Sequence, residues 1–429
     1  MKTATWFCNG AASALLVLAL AGCGAGSSVS AANGGAAGIP FPPNPDPDPF
    51  YKQPDPMPTL PPGTILDSRS VNFAPAGAPL PNKAWQLKFI STDVNGQPIA
   101  AVATVVMPLV PIAPTPELVS WQFAEDALGS QCAPSHAMTG SIADYVIVAE
   151  TASALAMMTA NGWTLVIPDH EGPYSEYAAG RLAGQITLDG IRAAENFAPL
   201  GLDGVKTPVG MSGYSGGAIA TSWAASLQST YAPELNIIGA ASGGTPAEMV
   251  SVIHNIDSNL VSNTAFFSLI FSAVEGVNRA YPRTVTPVLN AKGVAAFKAM
   301  ANGCAGATTG GAATPTGQTS DYTTTPTPLE TPDAKVTLAK VSLPQPTPEV
   351  PVIPMFLYHS QLDELIPIAG TTALVDAWCK DGVTVSYFQA PTGEHVATEA
   401  ADAPFVLAYL LSRFRGLPTV TPPGTVTCN

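Results

Sequence analysis

The chain has 429 residues, 46% of them hydrophobic, enough for one large core or two domains. Charged residues make up only 11%, and 17 Lys and Arg against 31 Asp and Glu give a formal net charge of −14. A chain this acidic lacks the basic footprint that a phosphate backbone requires, which excludes nucleic acid as an expected partner.

The first predicted element is an export signal. MKTATWFCNGAASALLVLALAGC places Lys2 ahead of an apolar stretch from Ala11 to Ala21. That stretch falls far short of the ~20 residues a membrane-spanning helix needs. It ends in LAGC (Leu20 to Cys23), which resembles the lipobox of bacterial lipoproteins. The resemblance implies loss of residues 1–22, lipidation of Cys23 and a membrane partner reached through that anchor. The alternative is an ordinary signal peptide with an incidental cysteine, and a freely secreted product. Both readings export the chain. Residues 23–47 are nearly all small residues, Gly and Pro; no such run buries a core, so they read as a tether ahead of a folded body spanning 48–429. Beyond Cys23, four cysteines (Cys132, Cys304, Cys379 and Cys428) suit an oxidising compartment, and spacing alone leaves three pairings open.

Residues 85–108 predict a hairpin turning at Asn95-Gly96. Strand-like runs follow at 117–123, 163–169, 205–211, 236–242, 350–360 and 383–389, with helix-like segments at 186–198, 218–232 and 369–382. Short, doubly buried strands alternating with helices predict an α/β fold with a mostly parallel central sheet covered on both faces. The alternation breaks over 247–349, where the chain reads as helical or irregular and 305–328 is rich in Thr, Gly and Pro. Strand-like runs resume afterwards, so this span is expected to be a mainly helical insertion between late strands.

The chemistry centres on GMSGYSGG, residues 210–217, where Ser215 ends a strand-like run and opens a helix-like one. This is the placement of a G-x-S-x-G nucleophile elbow: the glycines let strand and helix approach, and the backbone N–H of Gly216 points where an oxyanion would develop. A serine hydroxyl needs a base, and the base an orienting carboxylate; on this fold they follow in the order Ser, acid, His. His136 and His170 precede the serine. His254 lies in the insertion with no strand-end acid before it, and His359 precedes the favoured acid, so its replacement is expected to leave most catalysis in place. His395, in a loop after the last strand-like run, remains as the base. Asp363, three residues beyond Ser360, is the expected acid, with Glu364 its local rival. The cysteines and histidines lack ligand spacing, so no metal or other cofactor is expected.

From about Asp48 to Cys428 the chain resembles the secretory lipases typified by yeast lipase A, which are capped α/β-hydrolases. AEDALGSQCAPS (124–135), PDHEGP (168–173), LDGIRA (188–193), GYSGGA (213–218), YAPELNIIGAASGGTP (231–246) and LNAKG (289–293) carry the likeness. It implies a triad of Ser215, Asp363 and His395, and a second oxyanion donor in the backbone N–H of Asp126. It also implies disulfides Cys132–Cys304 and Cys379–Cys428, and a cap built from 247–349. Residues 305–328 have no counterpart in the family pattern. Some members carry a C-terminal flap over the pocket mouth, whereas this sequence stops at Asn429; a more open mouth and shorter, soluble esters are therefore expected. The function implied is hydrolysis of carboxylic esters of lipids or other acyl groups. An amidase, peptidase or acyltransferase on the same fold, or a binding protein that has lost catalysis, are the alternatives.

Overall fold

Ten strands form a single sheet in the computed structural model, which describes residues 38–112, 115–258, 267–305 and 315–429. The signal segment, Cys23 and the tether as far as residue 37 lie outside the described residues, as do 306–314 of the low-complexity stretch. Strands β1 (Ile65–Asn72), β2 (Lys83–Thr92) and β3 (Pro98–Val106) make an antiparallel meander. The β2–β3 hairpin turns where expected. Asp93 Oδ1 accepts from the N–H groups of Asn95 and Gln97, and Gly96 takes the positive φ of 77° that the turn needs.

Six parallel strands follow: β4 (Leu118–Gln122), β5 (Thr164–Pro168), β6 (Val209–Tyr214), β7 (Ile237–Gly243), β8 (Met355–Ser360) and β9 (Val385–Ala390). A short β10 (Val426–Cys428) closes the far edge antiparallel to β9, giving the order β1-β2-β3-β5-β4-β6-β7-β8-β9-β10. The sequence reading anticipated the central strands but not β1 or β10. Val426, for example, is well exposed, and β10 is three residues long, so neither edge carries the buried apolar run that marks the centre.

Alternate residues of each central strand feed opposite faces, which is why these strands read as continuous apolar runs. Met355 and Leu357 enter one core; Phe356 and Tyr358 enter the other. The first core also takes Leu182 and Ile186 from the helix Gly180–Glu195, Ile219 and Trp223 from Gly216–Tyr231, and Leu374 and Trp378 from Ile368–Lys380. The second is covered by Tyr145–Asn161 and His395–Phe414 through Ile147, Tyr409 and Leu410. Each fully buried side chain of this kind stabilises the fold by about 1.5–3 kcal/mol.

Between β7 and β8 lie the helices Met249–Ser258, Phe267–Ala280, Ala291–Met300 and Pro332–Val341. The later part of the low-complexity stretch is built into this region. Tyr322 packs edge-on against Phe271, and Thr319 Oγ1 donates to Asp257. The end of the expected tether differs too. Phe41 meets Phe297 edge to face at 5.5 Å, its carbonyl accepts from the buried Arg279, and Asn44 N–H donates to Asn302 Oδ1. Composition missed this because a single aromatic, Phe41, and the acceptors wanted by a buried guanidinium suffice to dock an otherwise Pro-rich segment.

Candidate active site

Parallel pairing sends the C-terminal ends of β4, β6, β8 and β9 to one edge of the sheet, where a crevice forms. The expected site residues lie at that edge: Asp126 after β4, Ser215 directly after β6, Asp363 after β8, and His395 after β9, where it opens the helix His395–Phe414 rather than lying in the expected loop. Ser215 holds φ 51° and ψ −119°, a left-handed conformation that costs a non-glycine residue on the order of 1–3 kcal/mol. Its N–H donates to Gly243 O at 2.9 Å, and the helix Gly216–Tyr231 begins at the next residue. The flanking glycines are required by contact: a Cβ on Gly217 would lie 2.1 Å from Gln122 O, and one on Gly216 only 1.6 Å from Asp126 Oδ1.

His395 Nε2 lies 2.8 Å from Ser215 Oγ, and Nδ1 lies 2.7 Å from Asp363 Oδ2. The structure thus brings these three residues together across 180 and 32 positions of sequence. The imidazole is buried, and it is placed by its backbone: His395 N–H donates to Glu364 Oε2 at 3.0 Å, and His395 O accepts from Tyr214 Oη at 2.6 Å. Of the two neighbouring acids, Asp363 reaches the ring and Glu364 the main chain. Asp363 Oδ1 accepts from Leu365 and Ile366 N–H, while Oδ2 accepts from His395 and His359. Burial alone would push the Asp363 carboxyl up, but the hydrogen bonds from His359 and His395 hold it well below the usual carboxylate range. It is an ionised acceptor.

Asp126 also has a left-handed backbone, with φ 45°, and lines the same cavity as Ser215. Among the described residues neither its N–H nor that of Gly216 has a hydrogen-bond acceptor. The Asp126 carboxyl is pushed up to about 7, burial outweighing the Tyr177 hydrogen bond and the nearby His395. The cavity is largely apolar, walled by Ile219, Val252, Ile253, Ile256, Leu269 and Ile366 among others.

The remaining histidines are elsewhere. His136 Nε2 meets Asp46, His254 is exposed on its helix, and His170 hydrogen-bonds Phe123 O, with burial pulling it down to about 4. Among the described residues no group of three His, Cys, Asp or Glu side chains could hold a metal ion. Two disulfides are present, Cys132–Cys304 and Cys379–Cys428. The first ties the loop after β4 to the segment after Ala291–Met300, reinforced by Leu128 N–H donating to Gly303 O. Sequence reasoning missed Tyr177 and Tyr214. Tyr214 was findable, since it adjoins Ser215; Tyr177 carries no local signal.

The secretory lipase family model matches residues 139–422. Lipase 10 of Candida albicans is 34% identical over 86% of this chain and 81% of its own. A Mycobacterium tuberculosis protein named a probable inactive lipase is 32% identical over 86% of this chain and 82% of its own. The crystal structure of Candida antarctica lipase A in its closed state superposes with a TM-score of 0.79 at 30% identity, covering 88% of each chain. With the matching segment taking in strands β5 to β9 and the turn at Ser215, the chain belongs to the secretory lipase family and has the α/β-hydrolase fold.

Proposed function

We propose that the chain is an exported serine hydrolase that cleaves carboxylic ester bonds of lipids or other acyl esters, as a triacylglycerol lipase or carboxylesterase. The observation that carries this reading is the hydrogen-bonded run from Ser215 Oγ through His395 to Asp363 beside an apolar cavity that Ser215 lines. As Ser215 Oγ attacks the ester carbonyl, His395 Nε2 takes its proton, and the ionised Asp363 stabilises the imidazolium. The carbonyl oxygen becomes an oxyanion between the N–H groups of Gly216 and Asp126. Loss of one such donor typically costs about 10²–10³ in kcat. His395 then protonates the leaving alcohol, and water repeats the sequence on the acyl-enzyme. The aliphatic walls give the acyl chain about 0.8 kcal/mol per buried CH₂. On this reading the helices of 247–349 are a cap over the pocket, with Leu269, Ile270 and Ala273 of the Phe267–Ala280 helix among the acyl contacts.

Export is supported by the family and by two disulfides, which persist in oxidising compartments. Anchoring through a lipid on Cys23 is the narrower proposal, and it rests on the LAGC segment. Mass spectrometry of the native N-terminus tests it: a diacylated Cys23 supports the anchor, and an unmodified start downstream of it removes the anchor while leaving the triad. One observation favours a second reading, a non-catalytic protein: the related chain named a probable inactive lipase. Against it, every triad position is filled here. A panel of p-nitrophenyl esters of increasing chain length, run with the purified chain and its Ser215→Ala form, decides. Hydrolysis lost in the variant supports the enzyme; no hydrolysis by either, or equal rates, overturns it.

A further inference from the structure

A second imidazole meets the carboxylate of Asp363. His359, the penultimate residue of β8, is completely buried. Its Nε2 lies 3.1 Å from Asp363 Oδ2 and 3.0 Å from Ile366 O. Both neighbours are acceptors, so this nitrogen carries the proton and donates. On the other side of the ring, Nδ1 lies 2.8 Å from Thr371 Oγ1, whose one hydroxyl proton can serve either Nδ1 or Thr245 O, 2.9 Å away. Thr245 sits just beyond Gly243, whose carbonyl holds the Ser215 N–H. The path of polar contacts that begins at Ser215 Oγ therefore continues past Asp363 and returns to the loop that fixes the Ser215 backbone.

We propose that His359 is a positioning residue for ester hydrolysis: it fixes the Asp363 carboxylate in the orientation that receives His395 Nδ1–H, and Thr371 fixes His359. This rests on the triad reading above. The two loop N–H groups at Oδ1 hold only one end of the carboxylate. Oδ2 has two donors, and His359 is the one that does not move proton density during the reaction. Without it, Oδ2 would depend on His395 alone, the ring it is meant to orient. A buried carboxylate short of one hydrogen bond also loses part of what keeps it ionised against burial. Sequence order excludes His359 as the base, and nothing here restores it to that role; the effect is exerted through Asp363. Its replacement therefore costs activity, where sequence order alone left it without a part.

The test uses the full chain and a soluble short-chain ester, with kcat, KM and thermal melting measured for His359→Leu, His359→Gln, Thr371→Val and Ser215→Ala. Small misplacements of the reacting groups cost up to about 100-fold in rate. His359→Leu is expected to lower kcat about 10- to 100-fold with KM unchanged. His359→Gln, which keeps an N–H donor, recovers most of that loss, and Thr371→Val shows a smaller fall in kcat. Full kcat in His359→Leu overturns the proposal, as does an equal loss in the Leu and Gln variants that follows their melting temperatures. Should His359→Leu fail to fold, unchanged kcat in both His359→Gln and Thr371→Val, taken together, overturns it, and a fall in Thr371→Val with KM unchanged upholds it. An active Ser215→Ala would instead bring down the triad reading itself.

Discussion

Ser215, like Asp126 beside the same cavity, is a non-glycine residue held at positive φ. A left-handed serine is tolerated because neighbours on both sides over-determine it: Gly243 O holds its N–H, and Gly216 and Gly217 let the helix begin against β4 and the Asp126 loop. Gly217 gives the sharpest test. A methyl group there would have to displace Gln122 O, a backbone atom of a central strand that cannot swing aside. Gly217→Ala is expected to destabilise by about 1–3 kcal/mol, the usual range for overpacking, and to abolish most ester hydrolysis by tilting the elbow. Thermal melting and kcat measured together check this, and a variant with native stability and activity would contradict the tight elbow. At this scale the sequence was legible where motif and chain order leave a single choice, as they do for Ser215 and His395. Glu364 could not be told from Asp363 by order, because the two adjoin. Only the fold shows one carboxylate on the imidazole and the other on its backbone N–H. His359 could not be read at all, since its partners are brought in by the turn after β8.

The elements explain why the site is held so firmly on one side. The loop after β4 carries Asp126 and is tied to the helical insertion by Cys132–Cys304 and by the Leu128–Gly303 hydrogen bond. Arg279, fully buried in the helix Phe267–Ala280, donates to the Phe41, Leu128, Tyr174, Ser175 and Ala301 carbonyls, so four segments share one guanidinium. Replacing Cys132 and Cys304 together by alanine is expected to cost about 2–5 kcal/mol and to lower kcat, because the Asp126 N–H loses its fixed position. Denaturant unfolding and kinetics of the double variant check this; unchanged stability would mean that the bridge is incidental. The central strands and the helices on the sheet were legible because burial on two faces forces apolar runs and burial on one forces amphipathic ones. The edge strands β1 and β10 and the docking of Phe41 were not, because they depend on pairing and on a distant guanidinium rather than on any local pattern.

Across the molecule, burial raises the pKa of many carboxyls. Asp126, Asp144 and Asp169 are pushed up to about 7, and Glu176 and Glu275 to about 8, in each case chiefly by desolvation. Glu125, Glu150 and Glu171 are also raised well above the ordinary value by burial. Unfolded, such groups titrate near pH 4. Between about pH 4 and 8 the folded chain thus binds more protons than the unfolded one, so this contribution is complete below the unfolded values and is lost as pH rises through the folded ones. Asp363, held low, and His170, pulled down to about 4, act with the opposite sign and lose their contributions on acidification. The raised groups outnumber them, so melting temperature is expected to be higher at pH 5 than at pH 8. Asp144→Asn, which keeps its acceptor for Val146 and Ile147 N–H, should make that slope shallower. A melting temperature that climbs from pH 5 to pH 8 would contradict the upward shift of these carboxyls. The central claim is narrower and more directly tested: Ser215 is the activated nucleophile of an ester hydrolase. Diisopropyl fluorophosphate reacts with a serine only where a base and an oxyanion site have made it nucleophilic. Intact-mass analysis with peptide mapping should find one adduct per chain, on Ser215, with hydrolysis lost in proportion to labelling. Folded protein that stays unlabelled, or that loses hydrolysis through an adduct on another residue, would contradict the account.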